Sequence, residues 1–394
     1  TSTALLAPGT DLGLNQRLTI SGGLPAENLL TINGVPATDN LWGTIREFYI
    51  EDAILETTVQ SSSISAEYGR FTGGVVNMIT KSGGNLFQGS YRLSLENDAW
   101  IAETPITEDR QDEVAFRHEL TLGGPILRDR IWFFAAGRAD PGLDAAGQTL
   151  LTNVPFTQTS SDNRWEAKIT ASPHLAHRVT ASYLDRRREL TNLHSLPFGL
   201  AMEIQALDDR VSVDGSLATL HYSGVVTESL FLEAQYSEGK LSTDQGPGRE
   251  GLTGDLIRGT PWWELGSRGF ANTAMWDGDR YTMKRGSTNL LAKGRLFLAS
   301  ERLGSHELVF GFDRYDDITK ENVYNSPSDF IIVSLQAGIV DGQTFYPRVS
   351  PETAYFWWLP VAENSPGTSF TTDSVYVNDT WRVNNRLSLS LGLR

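Results

Sequence analysis

Few side chains in this sequence are typed and spaced for chemistry, and each has a plainer reading beside it. His174 and His177 lie three apart, a spacing that on a helix would bring both imidazoles to one metal ion. Here they bracket Leu175 and Ala176 in a short turn with no carboxylate between them, so a pair of turn histidines is the stronger reading. Asp313, Asp316 and Asp317, and separately Asp277 and Asp279, offer the oxygen ligands that calcium takes. Neither run has the full loop spacing, and solvated charge accounts for both. Thr80-Lys81-Ser82 is not a phosphate loop, because no glycine precedes the lysine at the needed distance and no helical pattern follows. No Ser/His/Asp arrangement can be assembled, and a chain without cysteine has no thiolate chemistry. These residues predict no enzyme, no resident metal and no cofactor.

The aromatic residues are the better candidates for a binding role. Trp262, Trp263, Trp276, Tyr355, Phe356, Trp357 and Trp358 fall in the two longest connecting segments of the chain. Exposed apolar clusters of that size need a partner, so contact with a ligand or protein stands beside packing of the loops on themselves. Trp132, Phe134, Trp165, Tyr183 and Trp381 instead fall at strand ends or on outward positions of an alternating pattern. For them a girdle at a membrane interface is the natural account.

That pattern is what positions everything else. From about residue 86 onward, apolar and polar residues alternate over stretches of about nine residues or more, the length of a tilted strand that crosses a membrane. Leu387, Leu389, Leu391 and Leu393 alternate with Ser388, Ser390, Gly392 and Arg394; Trp165, Ala167, Ile169 and Ala171 alternate with Glu166, Lys168, Thr170 and Ser172. A helix would spread such residues around its axis, whereas a strand sorts them onto two faces. About eleven strands are predicted, near 86–97, 113–124, 130–139, 163–172, 177–189, 210–223, 228–241, 284–299, 305–320, 370–383 and 386–394. Short links alternate strictly with long ones, and the long ones (about 98–112, 140–162, 190–209, 242–283 and 321–369) must then share one end. Short periplasmic turns and long extracellular loops have this arrangement in outer-membrane barrels. No segment reaches the roughly 20 apolar residues of a spanning helix, so a membrane location requires a barrel. A formal charge of -15 argues against a nucleic-acid partner.

Residues 1–83 read differently. Short apolar pieces (Leu29 to Ile32, Val75 to Ile79) are separated by turn signals such as Asn33-Gly34, with one helix-to-strand stretch between Glu47 and Val59. A compact unit of this kind, a small α/β domain just before a wide barrel, is what a lumen plug would be.

The stretch from Asn28 to Asp39, containing Ile32-Asn33-Gly34-Val35, resembles the "IDGV…TD" element of TonB-dependent receptor plugs. Ser65-Ala66-Glu67-Tyr68-Gly69-Arg70, with Gly73-Gly74-Val75-Val76-Asn77 and Thr80-Lys81-Ser82-Gly83-Gly84-Asn85, resembles the closing strand of such plugs and its hand-over to the barrel. The wording is most similar to the Oar-like branch of that family. Leu122 to Phe134 resembles a periplasmic turn of the same branch, and Asn378-Asp379-Thr380-Trp381-Arg382-Val383 its "QDTWRV" strand end.

The resemblance implies residues 1–83 as the C-terminal part of a plug and 84–394 as the N-terminal half of a transmembrane antiparallel β-barrel, mostly β, with about 11 of an expected 22 strands. It places Tyr68, Gly69, Arg70, Gly73, Gly74, Asn77, Lys81, Gly83 and Gly84 at the plug–barrel junction. It implies the cell outer membrane as location, its lipid as surroundings, and an extracellular peptide, protein, siderophore or glycan as ligand. That ligand would be held by Asn40 and Trp42 on the plug and Trp262, Trp263, Trp276, Tyr355, Trp357 and Trp358 on the loops. Import would draw on a TonB-type energy-coupling protein, gripping a segment that has no counterpart in these residues. The other half of the barrel would come from the same polypeptide or another chain. The alternative is a plugged barrel that serves as a surface scaffold, adhesin or secretion component.

Overall fold

The computed structural model describes the chain except residues 1–6, 8, 13–17, 39–47, 101–111, 143, 150, 193–200, 203–208, 248–259, 261, 267–268, 272–279, 301–303, 325–329, 343 and 359–364. Among the described residues the structure is β throughout, with single 3-10 turns at Pro25–Glu27, Glu51–Ala53 and Asp98–Trp100. The first strands are β1 (Thr10–Leu12), β2 (Leu18–Ile20), β3 (Leu29–Ile32), β4 (Val35–Pro36), β5 (Ile54–Gln60) and β6 (Val75–Thr80). β3 to β6 form a four-stranded mixed sheet in the order β4-β3-β6-β5, in which β3 and β6 run parallel. The α/β expectation for this unit is corrected: among the described residues it contains no α-helix, and the stretch from Phe48 holds one 3-10 turn, Glu51–Ala53, before β5.

Then come β7 (Gln88–Glu96), β8 (Ala115–Leu127), β9 (Ile131–Asp140), β10 (Ala145–Gln148), β11 (Pro155–His174) and β12 (His177–Thr191). They are followed by β13 (Ala201–Met202), β14 (Asp209–Thr227), β15 (Leu230–Pro247), β16 (Trp262–Glu264), β17 (Gly269–Ala271), β18 (Arg280–Ser300) and β19 (Gly304–Tyr324). The last are β20 (Phe330–Ser334), β21 (Ala337–Val340), β22 (Thr344–Pro347), β23 (Ala354–Trp358), β24 (Thr368–Asn384) and β25 (Leu387–Leu393).

Eleven of these make one antiparallel wall in the order β25-β24-β19-β18-β15-β14-β12-β11-β9-β8-β7, with β10 beside β11. The wall is not closed; β7 and β25 are its edges. Its strands sit where the alternation places them and run on at the long-loop end, β18 and β19 each reaching 21 residues.

One face of the wall is apolar and exposed, as lipid requires. Leu387, Leu389, Leu391 and Leu393 lie on it, and Trp165 packs on Tyr183 across two strands with ring centroids 5.1 Å apart. The other face carries Glu119, Arg138, Arg164, Glu166 and Lys168, all buried, because the small sheet sits against them. Phe134 corrects the girdle expectation. It is buried on this inner face with Ala136 against Ile50 and Ala53, so its partner is the unit that carries the small sheet. Trp132 stands at the short-turn end and donates its indole N–H to Asn85 Oδ1 at 2.7 Å. The Leu175-Ala176 turn brings the His174 and His177 rings to 5.8 Å, tilted by 50°, and His177 Nδ1 meets Tyr222 Oη at 2.9 Å.

Candidate functional site

Two surfaces are candidates for function: the seam between the small sheet and the wall, and the sheet built by the long loops.

The seam begins where β6 ends. Lys168 Nζ donates to the Thr80 and Lys81 carbonyls, each at 3.0 Å, and Thr80 Oγ1 donates to Glu166 Oε1 at 2.6 Å. Ala53 O takes the Lys81 N–H at 2.8 Å, so Lys81 acts here through its backbone. Beyond it the chain turns to β7 through Gly83 and Gly84. A Cβ on Gly83 would lie 2.1 Å from Phe133 O, a backbone atom that cannot step aside, whereas Gly84 meets nothing within 4 Å.

A second anchor is Glu51. Arg138 Nη1 reaches both of its carboxylate oxygens at 2.9 and 3.0 Å, and Arg164 Nη1 donates to Tyr49 O at 2.8 Å. Burial alone would raise the Glu51 carboxyl. Its hydrogen bond with Glu119 and the guanidinium groups of Arg138 and Arg164 outweigh that and hold it below the ordinary 4.5.

The third anchor is the segment from Ser65 to Arg70. Arg70 adopts a φ of 61° and thereby aims its guanidinium at Asp313 Oδ2 at 2.9 Å, over the ring of Tyr315 at 4.3 Å. Arg394 reaches the same oxygen at 2.7 Å and donates to Glu67 O at 2.7 Å. A Cβ on Gly69 would meet the Arg394 guanidinium at 2.6 Å. Burial pushes the Tyr68 hydroxyl up from its ordinary value. Lys293 joins Glu67 at 3.3 Å to Glu233 at 2.8 Å.

Inside the small sheet, Asn77 Oδ1 accepts from Thr31 Oγ1 at 2.7 Å and from the Gly34 N–H at 3.2 Å, fixing the β3–β4 turn. A Cβ on Gly73 would strike Asn28 Oδ1, and one on Gly74 Ile20 Cγ2, at 2.3 and 2.5 Å. Of the junction residues named from sequence, Gly69, Arg70, Gly73, Gly74, Asn77 and Gly83 lie at close contacts or hydrogen bonds of the small sheet and the wall, Lys81 takes part through its backbone, and Gly84 meets open space. Not singled out by type or spacing were Arg138, and Arg164, Glu166 and Lys168 on β11. Their signal was present: three charged residues at i, i+2 and i+4 share one face of a strand whose other face is apolar. Asp313, weighed for calcium, serves two arginines instead. Of its neighbours, Asp316 accepts from Thr371 Oγ1 at 2.5 Å and Arg314 Nε at 3.2 Å. Asp317 accepts from Tyr315 Oη at 3.0 Å.

At the other end the long loops build their own sheet, β13-β17-β16-β20-β23, with elements from three separate connections. β16 pairs parallel with β20, Trp262 opposite Ile332. Trp262 is buried against Leu151 and Ile332. Trp263 meets Trp357 edge-on at 5.9 Å. The outer strand β23 leaves Tyr355, Phe356, Trp357 and Trp358 exposed. So Trp262 is a core residue of the loops, and the exposed group is Tyr355, Trp357 and Trp358 with Phe356. Asn40, Trp42 and Trp276, like Asp277 and Asp279, lie outside the described residues.

No family model matches the sequence. The TonB-dependent transporter Oar of Myxococcus xanthus is 24% identical over 486 aligned residues, which cover 100% of this chain and 44% of that protein. Among solved structures, the outer-membrane transporter YddB of Escherichia coli superposes with a TM-score of 0.67 at 14% identity, covering 96% of this chain and 49% of that one. The siderophore receptor PirA of Acinetobacter baumannii gives 0.61 at 15%, covering 96% and 50%. The wall has the fold of TonB-dependent barrels, left open after eleven strands. Its place is the cell outer membrane, and the proteins it resembles are transporters and receptors, not enzymes. The chain spans about half the length of the TonB-dependent relatives it matches.

Proposed function

We propose that this chain supplies the end of the plug and the first half of the barrel of a TonB-dependent receptor that binds an extracellular ligand and imports it. Residues 1–83 act as plug and 84–394 as wall. The observation that carries the reading is the pairing of two features on one wall: a small sheet seated by buried ion pairs on its inner face, and a loop sheet with an exposed aromatic edge at its long-loop end. Ligand meets Tyr355, Trp357 and Trp358 first, then the plug around Asn40 and Trp42, and an energy-coupling protein of the TonB type works the plug from the periplasm. Peptides or proteins, siderophores and glycans are the candidate ligands.

The test uses the full-length parent protein in its own outer membrane and a panel of radiolabelled ferric siderophores, oligosaccharides and labelled oligopeptides. Uptake of at least one probe is expected to require both the proton-motive force and the segment N-terminal to the plug. Uptake that survives removal of either overturns the import reading. The scaffold reading draws on the same aromatic edge, since four adjacent exposed aromatics on an outer strand also suit protein contact. It predicts partner capture through β23 with no depletion of any probe.

A further inference from the structure

The loop sheet is assembled by strand addition. Its order, β13-β17-β16-β20-β23, takes one strand from the connection after β12, two from that after β15 and two from that after β19. Where connections meet, their strands pair in parallel, β13 with β17 over two residues and β16 with β20 over three. Short extended segments from separate parts of the chain are thus what this sheet takes up, and the row ends at β23.

On its inner side β23 pairs with β20 in an unbroken antiparallel register, Ser334 opposite Ala354 and Phe330 opposite Trp358. The Leu335 N–H donates to Thr353 O at 2.8 Å, which fixes the phase of the ladder: the N–H and C=O of Tyr355 and Trp357 turn towards β20. Those of Phe356 and Trp358 turn the other way, and among the described residues no strand receives them. Natural edge strands are usually guarded by a charge, a proline or a bulge. β23, Ala-Tyr-Phe-Trp-Trp in sequence, has none of these. Tyr355 and Trp357 share a face with Val333 and Ile331, while Phe356 and Trp358 stand on the opposite face, 59% and 66% exposed. The open edge is therefore flanked by exposed rings on both sides.

We propose that β23 takes up an extended peptide as a sixth strand of the five-stranded loop sheet, its backbone bonded to Phe356 and Trp358 and its uncharged side chains lying against the four aromatics. The chemistry of the edge selects this class. Outward N–H and C=O groups recur at every second residue, roughly 7 Å apart, and another extended polypeptide repeats donors and acceptors at that interval. A ferric chelate or a glycan can stack on the rings but leaves the backbone row unmatched. Since rings flank both faces, alternate side chains of the incoming strand meet apolar partners on either side, and a charge there would lose water without gaining a counter-ion. The inference rests on the reading of the loops as the place where ligand lands, and adds the class of ligand and the way it is held.

The test uses the purified full-length receptor in detergent and a library of fluorescein-labelled pentapeptides built from valine, threonine and tyrosine, followed by fluorescence anisotropy. At least one peptide should bind saturably. N-methylation of every second amide should weaken it at least tenfold in one phase and less than twofold in the other, because only one set of amides faces β23. Phe356→Ala removes the ring and keeps the outward N–H; Phe356→Pro removes both, on the side where proline leaves the β20 ladder intact. The proline variant should bind at least tenfold more weakly than the alanine variant. The methylation comparison needs no variant, so it decides the matter even if Phe356→Pro fails to assemble. Equal losses in the two methylation phases, equal binding by the two variants, or a receptor dimer that Phe356→Pro dissolves overturns the inference. Energy-dependent uptake of a ferric siderophore by a receptor that binds no pentapeptide overturns it too, and leaves import standing. Phase-specific peptide binding without uptake of any probe upholds the added strand and sinks import.

Discussion

Arg70 and Arg394 share a single carboxylate oxygen: Asp313 Oδ2 lies 2.9 Å from one guanidinium and 2.7 Å from the other. One arginine lies between β5 and β6 of the small sheet and the other follows the edge strand β25, so a single wall residue joins three parts of the molecule. Asn289 Nδ2 occupies the remaining oxygen at 2.6 Å.

Replacing Asp313 by Ala leaves two mostly buried guanidinium groups facing each other with no anion. The expected loss is on the order of 3 kcal/mol, the scale for breaking a buried ion pair from one side. Urea unfolding followed by gel mobility would measure it. In a double-mutant cycle Asp313→Ala and Arg70→Ala should be strongly non-additive, because both remove the same contact; additive losses would refute the shared pairing.

Gly83 and Gly84 make a matched pair for substitution. Gly83→Ala drives a methyl group into the Phe133 carbonyl, and overpacking against backbone costs about 1–3 kcal/mol or prevents assembly. Gly84→Ala meets open space and should insert at the normal level. The amount of folded protein in outer-membrane fractions distinguishes them.

Glu51 sets an acid limit on plug docking. Its folded value lies below the ordinary 4.5, so its contribution is whole above that value and fades as pH falls through the folded one. Protection of the amides around Ala53, taken relative to their intrinsic exchange rates, should therefore fall below about pH 4.5 and change little from pH 6 to 8. Glu51→Gln should flatten that acid-side change; an unaltered profile would remove Glu51 from the account.

The loop tryptophans should separate by burial. Trp262→Ala opens the centre of the loop sheet and should cost that sheet about 3–5 kcal/mol, seen as faster protease cleavage in the loops. Trp357→Ala and Trp358→Ala should leave cleavage unchanged and weaken ligand binding tenfold or more, as for an exposed aromatic hot spot. Equal effects of all three on cleavage would contradict the division.

The wall was largely legible in the sequence, because a leucine row such as Leu387 to Leu393 beside serines allows one register: a slip by one residue turns the whole row inward. Phe134 was not, since Ile131 to Ala136 is apolar on both faces and alternation carries no sign there. Its inward position depends on Ile50 and Ala53, some 80 residues away in sequence and in contact only once the plug is seated. The loop sheet was illegible for a related reason. Trp262 and Ile332 pair over three residues of parallel strand, and nothing local marks so short a pairing. The arginine pairing at Asp313 was hidden likewise: spacing along β19 suggested an acidic cluster, while its partners come from residues 70 and 394.

The length of β18 and β19 has a consequence for where recognition takes place. A tilted strand needs only about 9–11 residues to cross the bilayer, and these have 21 each. At about 3.3 Å per residue and a tilt near 40°, the remainder lifts the loop sheet by roughly 25 Å. The aromatic edge therefore stands on a parapet clear of the lipid headgroups. Contact with whatever the exposed aromatics meet would then be made well outside the bilayer, at the far end of the wall from the short turns.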